Sequence, residues 1–221
     1  MRGMKRPQQT NEESAKEEDI LTATGNRVKN NLRFLRKEFF RKAGYSTIEM
    51  GVAIGSNSDK IQRIEASLKG TIQSFIVLLW FYHKQGFSLD DLLTKDFEQA
   101  PPSFVRMTIE ERRLIKVDEA EQQQVCELLR SNLNFLRKQV LRGSRFTTDN
   151  LVEVTGIASE KLLRIEKRLQ GKIISIVALL NYYIHEGLQL HELMASDLRE
   201  DNRALSEVKT QMHLMDRFMG D

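Results

Sequence analysis

The sequence contains very little cysteine, since Cys126 is the only one in 221 residues. A single thiol cannot form a disulfide within the chain. Residues 1–19 are polar throughout and do not show the charged segment followed by an apolar segment that is typical of a signal peptide. We therefore expect a reducing, cytoplasmic environment. The longest apolar run, 75–82, is far shorter than the roughly 20 residues of a membrane-spanning helix. This predicts a soluble protein with no membrane partner.

The sequence also lacks the patterns that mark common catalytic and metal sites. The four histidines have no metal-ligand spacing with the cysteine; they are His83, His185, His191 and His213. No glycine-rich phosphate loop, nucleophile elbow or pair of catalytic carboxylates occurs. We therefore expect no metal, no cofactor and no enzymatic activity.

Proline is rare, and strand-like alternation of apolar and polar residues is not sustained anywhere in the chain. Two of the three prolines are adjacent, at Pro101 and Pro102. Paired prolines cannot continue a helix, so they mark a boundary. Apolar residues recur at helical spacing on both sides of it. The sequence therefore predicts an all-α protein divided at this point.

The chain contains one long internal repeat. Residues 31–97 align without a gap with residues 132–198, at a constant offset of 101, and 25 of the 67 aligned positions are identical. Chance does not preserve such a register, so we interpret it as a duplicated domain. The predicted organisation is a disordered polar tail (1–26), a first domain (27–98), a partly helical linker (99–127), a second domain (128–199) and a C-terminal amphipathic helix (200–221).

Each repeat is predicted to contain five helices. In the first repeat, helix 1 begins near Arg27, and helices 2 and 3 are short and flank a tight turn at Gly55. The spacing of Ile61 and Ile64 predicts that both lie on the inner face of helix 3, in the core. Helix 4 follows Gly70 and carries a wide apolar stripe up to Gly86. Ser88 can cap a short fifth helix. The second repeat follows the same pattern.

The charge is unevenly distributed along the chain. The net charge of the whole chain is +3, but residues 27–98 and residues 128–199 each carry +4, so the remainder carries −5. Basic domains joined by acidic segments suit a polyanionic partner better than an evenly spread charge would.

Each repeat contains a short helix, a glycine turn and a second short helix, in the segments 46–65 and 147–166. These segments resemble the helix-turn-helix of the Xre family, which includes the phage lambda and 434 repressors and their Cro proteins. The resemblance covers residues 30–94 and 131–195. It implies two lambda-repressor-like five-helix domains, each of which places its third helix in the major groove of DNA.

The resemblance implies that the partner is double-stranded DNA and also which residues contact it. In the first copy these are Thr47, Asn57, Ser58, Asp59, Lys60, Gln62 and Arg63. In the second copy the matching positions are Thr148, Ala158, Ser159, Glu160, Lys161, Leu163 and Arg164. The amide of Gln62 can pair with an adenine edge, whereas Leu163 offers only contact to a thymine methyl group. We therefore expect the first copy to read DNA and the second mainly to support it.

Some features depart from the family pattern and leave alternatives open. The segment before helix 2 is roughly one helical turn longer than usual in both copies, so either Arg36 or Arg41 could pair with Glu65. Asp59 and Glu160 place carboxylates where phosphates would lie. The alternative function is an interaction or assembly protein that uses the fold as a scaffold without specific DNA readout.

The C-terminal segment carries an apolar stripe at helical spacing. Its members are Leu205, Val208, Met212, Met215 and Met219. An amphipathic helix of about 15 residues is marginal alone and needs a partner for its apolar face. We predict that this stripe docks either on one of the repeats or on a second chain, which would form a homodimer.

Overall fold

The computed structural model describes residues 10–102, 104–140, 147–200 and Ser206. Over these residues the secondary structure is helical, with one isolated antiparallel bridge between Phe87 and Phe104 and no strand. The predicted all-α class is therefore confirmed for the described part of the chain. The predicted stripe from Leu205 to Met219 lies outside the described residues.

The first half of the chain forms five α-helices and one π-helical turn. They are α1 (Thr10–Leu35), the π-helical turn Arg36–Arg41, α2 (Thr47–Ala53), α3 (Ser58–Ser67), α4 (Ile72–Lys84) and α5 (Leu89–Thr94). The connecting segment contains α6 (Ile109–Leu114). The second half forms α7 (Glu119–Phe135), a π-helical turn Leu136–Val140, α8 (Thr148–Thr155), α9 (Ser159–Arg168), α10 (Ile173–His185) and α11 (Leu190–Ala195).

Side-chain caps explain why the helices of the first half begin where they do. The Ser46 hydroxyl accepts from Glu49 N while the Glu49 carboxylate accepts from Ser46 N, a reciprocal pair that fixes the start of α2. Thr71 and Ser88 cap α4 and α5 through a single hydrogen bond to a backbone N–H each, with no reciprocal partner. In the second half, Asp118 and Thr147 cap α7 and α8, but the residues directly before α9, α10 and α11 provide no side-chain cap. The helices of the second half therefore rely more on packing.

The first helix is longer than the sequence predicted. α1 begins at Thr10, whereas a disordered tail was predicted up to residue 26 and the first domain from residue 27. The physical reason is a partner from the other half: α1 packs against α10, and Thr24 and Gly25 are buried. A Cβ atom on Gly25 would clash with Ile174 Cδ1, so glycine permits this close approach.

The first helix of the second half also begins earlier than predicted. α7 begins at Glu119, inside the segment 99–127 that was interpreted as a linker. Its first turns pack against α4. Trp80 Nε1 donates to Glu121 Oε1 at 2.8 Å, and Lys84 Nζ lies 2.8 Å from Glu121 Oε2. Contacts with the first half therefore extend this helix.

The segment between α5 and α7 is held against the first half by one buried cation. Arg112 is 4% exposed, and its guanidinium donates to the Gln85 carbonyl at 3.2 Å and to Gln85 Oε1 at 3.1 Å. Its guanidinium carbon also lies 5.8 Å and 5.7 Å from the ring centres of Phe40 and Phe87. Hydrogen bonds and cation–π contacts together compensate for burying the charge.

The two halves share one hydrophobic core. Buried side chains from α1 through α11 form a single cluster, which includes Phe75 and Leu79 in the first half and Leu180 in the second. The sequence predicted two separately folded units with equivalent cores. Equivalent positions are buried, as with Leu79 and Leu180 at 0% exposure, but the two sets of side chains are contiguous.

Contacts between the halves are reciprocal, which indicates an approximate two-fold axis. α1 packs on α10, and the equivalent α7 packs on α4. A Cβ atom on Gly70 would lie 3.5 Å from Ile173 Cδ1, and one on Gly171 would lie 3.6 Å from Ile72 Cδ1. These two contacts exchange equivalent residues. The loops that follow α3 and α9 therefore meet at the axis.

The two halves also meet near the C-terminal ends of α4 and α10, where α5 of the first half contacts α10 and α11 of the second. Leu190 N donates to Asp90 Oδ1 at 2.9 Å, so an aspartate of the first half caps the first turn of α11. The rings of His83 and His191 stack with centres 5.4 Å apart. Burial lowers the pKa of His83, and the nearby His191 lowers it further.

Candidate nucleic-acid interface

The helix pair α2 and α3 is joined by a tight turn in the first half. Gly55 adopts φ +58°, in the left-handed region that glycine occupies without strain. Ser56 N donates to the Gly51 carbonyl at 2.8 Å and closes the turn. Ile61 and Ile64 of α3 are buried, as the sequence predicted for core residues. The opposite face of α3 is therefore the face that points outward.

The outward face of α3 carries most of the predicted contact residues of the first copy. Asp59, Gln62 and Arg63 are exposed, and Ser58 and Lys60 are half-buried. Thr47 is the first residue of α2 and is half-buried. The structure therefore gathers these positions on one edge of the molecule, formed by α3 and the start of α2.

Asn57, which was predicted to contact DNA, has a local role at the start of α3. Its Oδ1 accepts from Lys60 N at 2.8 Å and caps α3. This hydrogen bond holds the amide at the start of the helix, although Oδ1 keeps a second lone pair. Contact between Asn57 and DNA therefore stays a prediction. Gln62, which is exposed on the outward face, is a further candidate for reading a base.

The outward face of α9 in the second copy is more basic than that of α3. Ser159, Glu160, Lys161 and Arg164 are exposed, as is Ala158 at the start of the helix. Leu163 is 39% exposed. Three further cations on or after α9 are exposed, namely Lys167, Arg168 and Lys172. These three were not predicted as contact residues, although Lys167 and Arg168 follow Arg164 on the same helix.

Thr148 makes an internal contact instead of standing free at the surface. An Arg137 guanidinium nitrogen donates to its Oγ1, and Arg137 also forms an ion pair with Glu166. The hydroxyl of Thr148 therefore holds the arginine in place between α8 and α9. Thr148 thus has a positioning role in the second copy, and its predicted contact with DNA stays a prediction.

An ion pair links the π-helical turn after the first helix of each half to α3 or to α9. Arg36 Nε lies 2.7 Å from Glu65 Oε2, and Tyr82 donates to Glu65 Oε1 at 3.1 Å. Burial raises the pKa of Glu65 to about 7, and the neighbouring Arg36 opposes that rise. Arg41, the other arginine that the sequence allowed, is exposed. Arg36 is therefore the partner of Glu65.

π-Helical turns account for much of the extra length before α2 and α8. Each follows the first helix of its half, at Arg36–Arg41 and at Leu136–Val140. A π-helical turn accommodates extra residues by widening the helix locally. In the first half it turns Phe40 into the core, where its ring lies 5.6 Å from that of Tyr82. Arg36 and Arg137 both lie in these turns.

A cleft of about 460 Å³ lies between the first helix pair and α7. Gln122 Nε2 donates to the Ile54 carbonyl at 3.0 Å, so α7 touches the turn between α2 and α3. Lys60, Glu119 and Cys126 also line the cleft. Burial raises the pKa of Cys126 to about 11, so its thiol is protonated at neutral pH. The second half therefore braces the helix pair of the first.

A second cleft of about 550 Å³ lies where the loops after α3 and α9 meet. Lys29, Lys69 and Lys172 line it, together with Gly70 and Gly171. The two helix ends come from separate repeats, so no local sequence pattern could indicate that these lysines share one cleft. The cleft adds positive charge between α3 and α9.

The chain matches no protein-family model, no curated protein and no solved structure in comparisons with known proteins. Within the described residues, no group of three or more histidine, cysteine, aspartate or glutamate side chains is placed to hold a metal ion. Across the same ranges no single helix is long and apolar enough to cross a membrane. The pair α3 and α4 meets those criteria only together, with a bend of 93° between them.

Proposed function

We propose that this chain binds double-stranded DNA, with α3 and α9 as the recognition helices of two lambda-repressor-like helix-turn-helix domains. The observation that supports the proposal is that the loops after α3 and α9 meet: a Cβ atom on Gly70 would lie 3.5 Å from Ile173 Cδ1, and one on Gly171 would lie 3.6 Å from Ile72 Cδ1. The two helices therefore end close together, and we propose that one duplex contacts both.

The lengths of the two helices support this arrangement. Each has 10 residues, which corresponds to about 15 Å of α-helix. The loops at their C-terminal ends meet, so two helices that extended end to end from there would span about 30 Å. The half-sites of a repressor dimer are about 34 Å apart on one face of the duplex.

The charges on this side also support a phosphate partner. The exposed cations on and just after the two helices are Arg63, Lys69, Lys161, Arg164, Lys167, Arg168 and Lys172. On the helices themselves, the carboxylates that face outward are those of Asp59 and Glu160, since Glu65 and Glu166 are buried in ion pairs. Arginine and lysine bind phosphate oxygens and fix the register of a protein on the duplex.

The two copies have different roles in this proposal. Gln62 is exposed on α3 and offers a bidentate amide for an adenine edge, whereas Leu163 holds the equivalent position on α9. α9 carries more cations, which favours phosphate contact over base reading. The first copy is thus the principal reader of sequence, and the second supplies affinity.

One observation favours the alternative function, an assembly protein that uses the fold as a scaffold. Gln122 and Glu119 of α7 border the turn before α3, and Glu119 lines the same cleft as Lys60. A carboxylate beside the first turn of a recognition helix weakens phosphate binding there. The scaffold reading therefore stays as the second candidate.

The test measures binding of the full chain to random duplex DNA over a range of salt concentrations. We expect affinity to fall steeply as salt rises, because phosphate contacts release counterions. Changing Arg63→Ala and Arg164→Ala together should reduce the slope of log affinity against log salt by about 2. Arg106→Ala removes an exposed arginine from the segment between α5 and α6 and serves as the matched control, with little expected change.

Absence of binding by the parent chain at low salt would reject the DNA proposal and favour the scaffold. If the parent and the double variant bound with the same salt slope, the DNA interface would not lie on α3 and α9.

A further inference from the structure

The cleft between the loops after α3 and α9 is lined by lysines from three different parts of the chain. Lys29 comes from α1, Lys69 follows α3, and Lys172 directly precedes α10. The three meet because α1 packs against both α3 and α10. Lys29 is half-buried, and Lys69 and Lys172 are exposed. We call this cleft of about 550 Å³ the lysine cleft.

The cations of the lysine cleft have no acidic partner among the side chains that the structure describes. Within that part of the chain, none of the three ammonium groups takes part in an ion pair. Among the described residues that line the cleft there is no aspartate and no glutamate. Like charges held together repel one another and disfavour the compact state. An anion bound in the cleft would remove this repulsion.

The walls of the lysine cleft strengthen the electric field of these charges. Leu68 and Ile173 are buried, Ile174 is partly buried against the core, and all three line the cleft. A cleft that combines charges of one sign with apolar walls of low dielectric constant focuses the field and raises the local concentration of counter-ions. The lysine cleft therefore has the electrostatic form of a site for a small anion.

The internal repeat shows that the fold itself does not need the three lysines. At the offset of 101, the equivalent residues are Arg130, Gln170 and Thr71, so two of the three positions are neutral there. The one remaining cation has partners in the protein. Arg130 Nη1 donates to the Lys167 carbonyl at 3.4 Å, and Arg130 shares a cleft with the carboxylate of Asp197. The same elements are therefore built elsewhere in the molecule without three unpaired cations.

We propose that the lysine cleft binds a small anion that carries two or more phosphate groups. Lysine binds phosphate as a point charge. A terminal phosphate group carries about −1.5 to −2 charges at pH 7, so two such groups balance three lysines. The volume of about 550 Å³ falls in the range of roughly 300–1,000 Å³ that is typical of small-molecule sites.

The phosphate groups can belong to an inorganic polyphosphate or to a nucleotide. The shared chemistry is the polyphosphate group, and the base of a nucleotide would add contact with the apolar walls at Leu68 and Ile174. The proposal does not depend on DNA binding. If the chain also binds DNA, an anion in the cleft would withdraw Lys69 and Lys172 from the duplex.

The experiment measures binding of inorganic tripolyphosphate to the full chain by isothermal titration calorimetry, at about 0.15 M salt so that loosely attracted anions are screened. We expect one saturable site per chain. Lys69→Gln with Lys172→Thr installs the residues that the repeat carries at these two positions, so the fold is expected to tolerate both. Thr71, the equivalent of Lys172, also caps α4. This cleft variant should bind at least about tenfold more weakly, because two charged contacts are lost.

Lys37→Ala with Arg106→Ala is the matched control, because it removes the same number of cations from exposed positions that do not line the cleft. Its affinity should stay close to that of the parent, since charges outside the cleft are largely screened at this salt concentration. ATP without magnesium is the second probe. Tighter binding of ATP than of tripolyphosphate would assign the site to nucleotides, and equal binding would assign it to the polyphosphate group alone.

A second measurement locates the site in the parent chain without any substitution. Tripolyphosphate should shift the amide resonances of Gly70 and Gly171, which line the cleft, and leave that of Gly86 unchanged. Resonances that move elsewhere and not at these two glycines would overturn the proposal. Absence of saturable binding, equal affinity in the parent and the cleft variant, or equal loss in the cleft variant and the control would overturn it as well.

Discussion

Arg36 and Glu65 form an ion pair of 2.7 Å, in which the glutamate side chain has no exposed surface and the arginine is 31% exposed. The pair joins the π-helical turn after α1 to the last turn of α3. Arg137 and Glu166 make the equivalent pair in the second half. The orientation of each outward-facing helix is thus tied to a buried charge.

Removing Arg36 should be destabilising. Arg36→Met leaves the buried Glu65 carboxyl without its cation, so the carboxyl takes up a proton and keeps an unsatisfied polar group, which costs about 1–3 kcal/mol. Arg41→Met is the control, because Arg41 is exposed and its loss should change the unfolding free energy by less than about 0.5 kcal/mol. Urea unfolding at neutral pH measures both. Equal effects of the two substitutions would remove Arg36 from this role.

Stability should fall as pH rises because of Glu65. Burial raises its pKa from 4.5 to about 7, so the folded state holds this proton more tightly than the unfolded chain does. The stabilisation is complete below 4.5 and is lost as pH rises through about 7. Burial raises the pKa of Glu166 as well, which acts in the same direction. Burial lowers the pKa of His83, which acts in the opposite direction below its ordinary value of 6.5.

Glu65→Gln isolates the contribution of this one carboxyl, because the amide cannot titrate. The difference in unfolding free energy between parent and variant should change by roughly 2 kcal/mol between pH 5 and pH 8. Urea titrations at the two pH values measure it. A difference that does not vary with pH would contradict the raised pKa.

The shared core predicts a single unfolding transition. Leu180→Ala removes a fully buried side chain from the second half and should cost about 2–5 kcal/mol. Trp80, the one tryptophan, lies in the first half and bonds to Glu121. Its fluorescence midpoint should therefore shift with the circular dichroism midpoint. Leu79→Ala should behave in the same manner. If the unfolding midpoint measured by Trp80 fluorescence were the same in Leu180→Ala as in the parent, the two halves would be independent units.

The two outward helices should differ in their effect on specificity. Gln62→Ala should lower the ratio of specific to random DNA affinity by the equivalent of about 1–3 kcal/mol, because it removes a bidentate amide. Leu163→Ala should leave that ratio nearly unchanged. The measurement is competition binding with a selected site and with random duplex. Equal losses in the two variants would refute the asymmetry.

Much of the fold could be predicted from local pattern. α3 and α9 share the same bounds at an offset of 101, as do α4 and α10. Ile61 and Ile64 were predicted as core and are buried. These features depend on periodicity and glycine turns, which act over a few residues. They were therefore visible in the sequence.

The sequence by itself determined the helical class, the repeat and the outward face of each third helix. The tertiary structure alone decided which arginine pairs with Glu65, because a π-helical turn changes the side-chain direction without a sequence signal. It also decided where α1 begins, that Thr148 holds Arg137, and that Lys69 and Lys172 share a cleft. Most of these outcomes arise where elements distant in the sequence meet. Pairing of this kind is set by packing between the halves, which periodicity within one half cannot reveal.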